Sequence, residues 1–319
     1  MNVMEQAARS VLDGRAAFLC TDVRTGEHVL FDTQQAMEAA FPAMANSVLP
    51  CVTEGGALFW EQLRAAPELV ILGGGHISQP LCAMAAITGM HVTVVDDRVA
   101  FAQAERFPQA SRVVCGAFAE VLAREAFSPS AFFVIVTRGH AADTACLEKI
   151  LTLPRRYVGM IGSRRKVAQA MEEMRALGFA DETLREVHAP IGLPIGAQTP
   201  AEIAVSILAE IISVLRAPGE SCALEEDVAR AIRDGRARGG KLFTILEKRG
   251  SAPRGPGARM LVLPDGSTLG TIGGGSAEYV CIERAVECMG KPGCEVIELE
   301  VKSVGMTCGG TIRVLMETI

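Results

Sequence analysis

The chain has 319 residues, 49% of them apolar and 21% charged, with a net charge of −6. That length exceeds a typical domain of roughly 150 residues, so two cores are expected. No apolar run approaches the roughly 20 residues of a membrane-spanning helix, and the 31 Lys and Arg form no stripe of the kind that grips nucleic acid. Neither a membrane span nor a nucleic-acid partner is expected. The first residues, MNVMEQAARSVLDG, hold acids and no uninterrupted apolar stretch, so no secretory signal is expected and the cytoplasm is the natural compartment. The ten cysteines include no CxxC pair, so no metal site is expected, and most read as small buried hydrophobes.

In chain order, residues 1–66 mix a short helix (Met4–Leu12), a hairpin in AAFLCTDVRTGEHVLFDT turning at Thr25-Gly26, and a helical stretch around Ala36–Val48. From Pro67 the pattern changes. ELVILGGGH, MHVTVVDDR, SRVVCGAF, AFFVIVTRGH and RRYVGMIGS read as short strands, with helical segments between most of them. That alternation predicts an α/β fold, with a Rossmann-like parallel sheet covered on both faces over residues 67–218. Ala201–Arg216 is almost wholly apolar and reads as a buried helix closing that domain. Pro218 and Gly219 break it, and Glu225–Asp227 start a new helix. A smaller α+β domain is expected over 225–319. It would hold a helix to Gly235, strands at Leu242–Glu247 and Arg259–Leu263, a PDGS turn, a helix at Ser276–Met289, and strands at Glu295–Val301 and Thr311–Glu317.

The strand Leu69–Leu72 runs into Gly73-Gly74-Gly75-His76-Ile77-Ser78, a G-x-G-x-x-S variant of the dinucleotide fingerprint, and a second strand ends in Asp96. Gly73 would allow the tight turn, Gly75 and His76 would face a pyrophosphate at the helix start, and Asp96 would bond a ribose hydroxyl. Arg98, two residues on, leaves the choice between NAD and NADP open, and the blander alternative is a glycine turn kept as scaffold without a nucleotide. His140, three residues before Asp143 at a strand's C-terminal end, is the nearest candidate for a general acid or base, with a cap and loop network as the plainer reading. Gly162-Ser163-Arg164-Arg165-Lys166 offers amides and cations for a phosphate, or is simply a solvated helix start.

The last third carries three glycine loops: Arg249-Gly250-Ser251-Ala252-Pro253-Arg254; Gly270-Thr271-Ile272-Gly273-Gly274-Gly275 with Glu278 beyond; and Met306-Thr307-Cys308-Gly309-Gly310. Consecutive glycines let amides converge on an anion, and an arginine on a proline-stiffened loop adds a bidentate cation, so the three together read as a site for a phosphate-bearing ligand. Cys308, flanked by glycines, is the approachable thiol, whereas Cys281 and Cys288, seven apart on one helix, read as packing.

These strings (GSAPR, GTIGGG with Glu278, TCGG, GGGH, VVDDR, TRGHAAD, GMIGSRRK and HAPIGLPIGAQTPAEIAVSILAEI) resemble the XdhC/CoxI accessory proteins of molybdenum hydroxylases over nearly the whole chain. The resemblance implies a cofactor-binding maturation factor more than a turnover enzyme. Such a protein binds molybdenum cofactor (molybdopterin), holds it while a cysteine desulfurase supplies a sulfido ligand, and delivers it to an apo molybdenum hydroxylase such as xanthine dehydrogenase. Ser251, Pro253, Arg254 and Gly273–Gly275 with Glu278 would then face the pterin phosphate or dithiolene. Cys308, with Gly309 and Gly310, would face molybdenum or transferred sulfur. Family members often self-associate, so a homodimer is also implied. In the usual family order the GSAPR segment precedes the dinucleotide-type domain; here it follows. The chain therefore resembles a circular permutant, which implies that residues 1–66 pack with 225–319 and that the termini lie near one another. Two other readings stay open: an NAD(P)-dependent oxidoreductase using His140, and a module that senses another nucleotide through Gly73–Ser78.

Overall fold

The computed structural model describes residues 2–44, 47–53, 55–217, 222–301 and 310–319. The fold is mixed α/β, in two compact units. One is built from both ends of the chain, Met1–Ala66 with Pro218–Ile319, and the other is Pro67–Ala217. Among the described residues no helix is long and apolar enough to cross a membrane.

The first segment opens with α1 (Val3–Leu12), started by a capping box in which Asn2 and Glu5 satisfy each other's backbone amides. Met4, Ala7, Ala8 and Val11 recur at helical spacing and form its buried face. Strands β1 (Ala17–Asp22) and β2 (His28–Phe31) form the hairpin turning at Thr25-Gly26, where Gly26 holds φ +74°. Helix α2 (Gln34–Ala40) ends well before Val48, because Phe41 precedes Pro42 and is driven to φ −134°, ψ 77°. A short 3₁₀ turn follows at Pro42–Met44. Strands β3 (Cys51–Val52) and β4 (Leu58–Arg64) complete the segment.

The middle unit alternates β5 (Glu68–Leu72), α3 (Ser78–Ile87), β6 (His91–Asp96), β7 (Arg112–Cys115), α4 (Phe118–Arg124), β8 (Phe132–Ile135), α5 (His140–Leu151), β9 (Tyr157–Met160), α6 (Arg164–Ala176), α7 (Asp181–Arg185), β10 (Val187–His188) and α8 (Pro200–Leu215). The six strands pair in parallel in the order β10-β9-β8-β5-β6-β7. That is the doubly wound Rossmann order, with its topological switch between β5 and β8. Both sheet faces are buried: Leu69 and Ile71 face one apolar core, Val70 and Leu72 the other. Only one side of α8 is buried, through Ala204, Ile207, Leu208 and Ile211, while Val205 and Ile212 stay exposed. The reading of this helix as wholly buried is thus corrected.

The last segment runs β11 (Cys222–Ala223), α9 (Glu226–Arg233), β12 (Lys241–Arg249), β13 (Arg259–Val262), β14 (Thr268–Gly270), α10 (Gly275–Cys288), β15 (Cys294–Val301) and β16 (Gly310–Thr318). Strand β11 adds in parallel to β4, giving the order β11-β4-β1-β2 with β3 on β4. The remaining strands form an antiparallel sheet, β14-β13-β12-β16-β15. Helices α1 and α9 share one core with Leu19, Leu63, Leu242 and Leu261. Asn2, Val3 and Met4 line one cavity of about 270 Å³ together with Thr318 and Ile319.

A buried charge cluster ties the two sheets of this unit. The Arg259 guanidinium on β13 donates to the Glu61 carboxylate on β4, and both are almost fully buried. Beside them, His28 Nε2 on β2 meets Glu317 Oε2 on β16 at 2.7 Å, while its Nδ1 lies 2.9 Å from Thr21 Oγ1 on β1. Burial pulls the His28 imidazole down, but its hydrogen bond to Glu317 and the charges of Glu317 and Glu61 outweigh that, and its pKa ends above the usual histidine value. A group whose folded pKa is raised stabilises the fold fully below its unfolded pKa, about 6.5 for histidine, and loses that contribution as pH rises through the folded value. Thermal melts should therefore show stability falling as pH rises above about 6.5, and His28→Gln should remove that slope. An unchanged slope in His28→Gln would count against the assignment.

Candidate functional site

The antiparallel sheet brings the first two glycine loops and Gly310, the last residue of the third, to one end. Strand β12 ends at Arg249 opposite Thr311, β14 ends at Gly270 opposite Met260, and β15 ends at Val301 opposite Gly310. The loop 250–258 lies between Gly273 and Gly310. A Cβ on Gly310 would collide with the Ser251 carbonyl oxygen, and a Cβ on Gly273 would sit 3.2 Å from Pro253 Cβ. Ser251, Pro253, Arg254, Gly273, Gly274, Gly275 and Gly310 thus share one region. Cys308 and Gly309 lie outside the described residues.

Glu278 takes a different place from the ligand-facing one expected. It reaches back from the first turn of α10, and its Oε1 accepts from the Ile272 amide at 3.0 Å, the Gly274 amide at 2.9 Å and the Thr271 hydroxyl. Burial alone would raise its pKa, but these donors hold the carboxyl below the ordinary value. The glycine loop is therefore organised from within by its own anion, and the amides of Ile272 and Gly274 are already engaged. What stays open is the backbone at Gly274 and Gly275, where a Cβ would meet no atom within 4 Å. Arg254 is partly exposed and pairs with Glu225 at 3.0 Å, a partner the sequence did not suggest. Lys248 Nζ braces the same loop by donating to the Ala252 carbonyl. Cys281 is packing, as expected: it is fully buried on α10, and that burial pushes its thiol up to about 12. Cys288 packs partly buried against the same core.

In the middle unit the turn Gly73–Ser78 sits at the switch point. Gly73 holds φ +115°, and a Cβ there would strike the Val136 carbonyl oxygen at the end of β8, so the turn and the β8–α5 loop touch. Gly75 has no atom within 4 Å of a Cβ position, and His76 is exposed. The Ser78 hydroxyl donates to the Gly73 carbonyl and closes the turn where the fingerprint has a third glycine. Asp96 is fully buried, accepting from the Gly74 amide at 2.7 Å and from Arg98 Nε and Nη2, both at 2.8 Å. Burial opposes its ionisation, but these donors keep the carboxyl below its ordinary pKa. Asp96 and Arg98 therefore satisfy each other, and the Arg98 guanidinium stacks on Phe101 at 3.6 Å. His140 begins α5 with Nε2 3.3 Å from Glu173 on α6. Asp143 accepts from the Thr137 hydroxyl at 2.6 Å, and burial raises its pKa. His140 and Asp143 thus hold separate partners. Ser163 caps α6, accepting from the Lys166 amide.

Fold and site together define a Rossmann-type unit accompanied by a glycine-loop unit on an antiparallel sheet. Residues 69–211 match the model of the XdhC Rossmann domain, and residues 235–299 match that of the XdhC and CoxI family. The chain belongs to the XdhC and CoxI family. It is 35% identical over 155 residues to the uncharacterised protein YqeB of Escherichia coli, a match covering 48% of this chain and 28% of that protein. It is 29% identical over 164 residues to a probable xanthine dehydrogenase subunit of Bacillus subtilis, covering 51% of this chain and 48% of that protein. The chain thus spans less than half the length of either curated relative. A solved xanthine dehydrogenase from Bacillus halodurans shares the fold with a TM-score of 0.52 and 23% identity, over 66% of this chain and 62% of that one.

Proposed function

We propose that this chain is an accessory factor of a xanthine dehydrogenase-type molybdenum hydroxylase, and that its glycine-loop unit binds the molybdenum cofactor. The family supports the accessory role, as does the name of the Bacillus subtilis relative. The observation that carries the site is the packing of the Ser251–Arg254 loop between Gly273 and Gly310. The residues fit such a ligand: Arg254 offers a partly exposed guanidinium, and the open space beside Gly274 and Gly275 lets an anion approach the backbone at the start of α10. Arg254 would exchange Glu225 for the pterin phosphate, and Glu278 would keep the loop in shape. The cofactor, when bound, supplies the molybdenum centre that the hydroxylase uses. Delivery to the apo-hydroxylase and sulfuration by a cysteine desulfurase, with Cys308 beside the metal, complete this reading. In the middle unit the open backbone at Gly75 is read as a nucleotide site.

Protein purified from cells that make the cofactor should carry molybdenum and a fluorescent oxidised pterin. Arg254→Ala should lower pterin retention about tenfold, the value of one charge-assisted contact, and Cys308→Ala should lower molybdenum retention. Pterin-free protein, or equal retention in Arg254→Ala, would overturn the assignment.

A further inference from the structure

The end of β6 is where a doubly wound fold meets the adenosine ribose of a dinucleotide, and an acid placed there reads the ribose 2′ hydroxyl by accepting from it. Asp96 holds that place but has no acceptor left. Its Oδ2 takes the Gly74 amide at 2.7 Å and Arg98 Nη2 at 2.8 Å, and its Oδ1 takes the Arg98 amide at 2.9 Å and Arg98 Nε at 2.8 Å. A carboxylate offers about four lone-pair sites, and here every one is filled. The residue is also fully buried. A ribose hydroxyl brought to this strand end would meet no free carboxylate.

What reaches solvent beside Asp96 is a cation. Arg98 spends Nε and Nη2 on Asp96, its Nη1 donates to nothing among the described residues, and its side chain is 26% exposed. The guanidinium rests on Phe101, 3.6 Å from the ring centroid. Arg106, on the 3₁₀ turn Ala104–Arg106, lies 5.0 Å from the same ring and donates Nη2 to the Gly74 carbonyl at 3.0 Å. Asp97, the next acid, is already flanked by two arginines, with Arg98 Nε at 3.6 Å and Arg138 Nη2 at 3.9 Å.

We infer, on the reading of the Gly75 backbone as a nucleotide site, that the middle unit selects a dinucleotide phosphorylated on its adenosine ribose, NADP(H) over NAD(H), and that Arg98 reads the 2′ phosphate. A planar guanidinium with a free edge suits a phosphate. Asp96 and Phe101 already hold it in place, so little side-chain freedom is lost on binding. Asp96 is then a positioning residue, which aims Arg98 instead of touching the ligand. NAD(H) would bring a neutral hydroxyl to the same edge, where the acceptor that would reward it is occupied.

Fluorescence titrations of the full chain should show NADPH binding at least about tenfold tighter than NADH, the value of one charge-assisted contact. In competition with NADPH, 2′,5′-ADP should outperform 5′-AMP by a similar factor, since the two differ only in the 2′ phosphate. Arg98→Ala removes the cation and frees Asp96, so NADPH should weaken about tenfold or more while NADH holds or gains. A melting curve checks that this variant folds, and the comparison of the two fragments on wild type decides the matter if it does not. Equal affinities for NADPH and NADH, or for the two fragments, would overturn the inference and leave the nucleotide site standing. So would a folded Arg98→Ala protein that keeps the preference. Binding of neither dinucleotide would instead remove the nucleotide reading itself, and the inference with it.

Discussion

Replacing Arg259 with alanine is expected to destabilise the unit built from both chain ends by roughly 3–5 kcal/mol, the cost of leaving one member of a buried ion pair without its partner. The carboxylate left behind is that of Glu61, 1% exposed. Complete burial drives this carboxyl upward, and the Arg259 charge beside it is the main opposing influence. Its Oε2 has no hydrogen-bond partner among the described residues. Without Arg259 the acid must take up a proton or open the sheets to water. Trp60, the only tryptophan, is fully buried next to Glu61, so its fluorescence in a urea titration reads this unit selectively. Replacing both partners by apolar residues, Glu61→Leu with Arg259→Met, should recover most of the loss, because two desolvated charges are removed together. A single-site loss below about 1 kcal/mol would mean that water already reaches the pair.

The Glu61 and Arg259 pairing shows where sequence reading stopped. Glu61 alternates with Phe59 and Leu63 in β4, and Arg259 with Leu261 in β13. Each therefore sits at an inward parity, which the sequence displays. That the two face each other across 198 residues of chain is set by the packing of two sheets, and no local pattern encodes it. The parallel sheet was legible because strands buried on both faces read as continuous apolar runs. The two-residue strands β3, β10 and β11 were not, since so short a ladder has no period. At the glycine loops the reverse holds: composition announced flexible, anion-friendly backbone, but which amides are free depends on where neighbouring acids fold. Glu278 and Asp96 each satisfy the loop beside them, so both acids support their turns from within.

The same distinction, between a glycine that shapes a turn and one that leaves room for a ligand, gives the second large expected effect. Gly73→Ala should destabilise the middle unit by roughly 2–4 kcal/mol, combining a left-handed backbone that alanine resists with a methyl group forced into a neighbouring strand end. Gly73 has φ +115°, and its Cβ would strike the carbonyl of Val136 and approach Thr137 Cα at 3.1 Å. Neither is a side chain able to swing away. Gly75→Ala, two residues on, meets no atom within 4 Å and holds no left-handed φ, so stability should stay within about 0.5 kcal/mol of wild type. Its methyl group would instead occupy the space by which a phosphate approaches the start of α3. Paired calorimetric melts and nucleotide titrations of the two variants separate the roles: Gly73→Ala lowers the melting temperature, and Gly75→Ala weakens nucleotide binding alone. Equal destabilisation by both substitutions would make the turn a scaffold through all its glycines, because the only cost then visible would be that of folding.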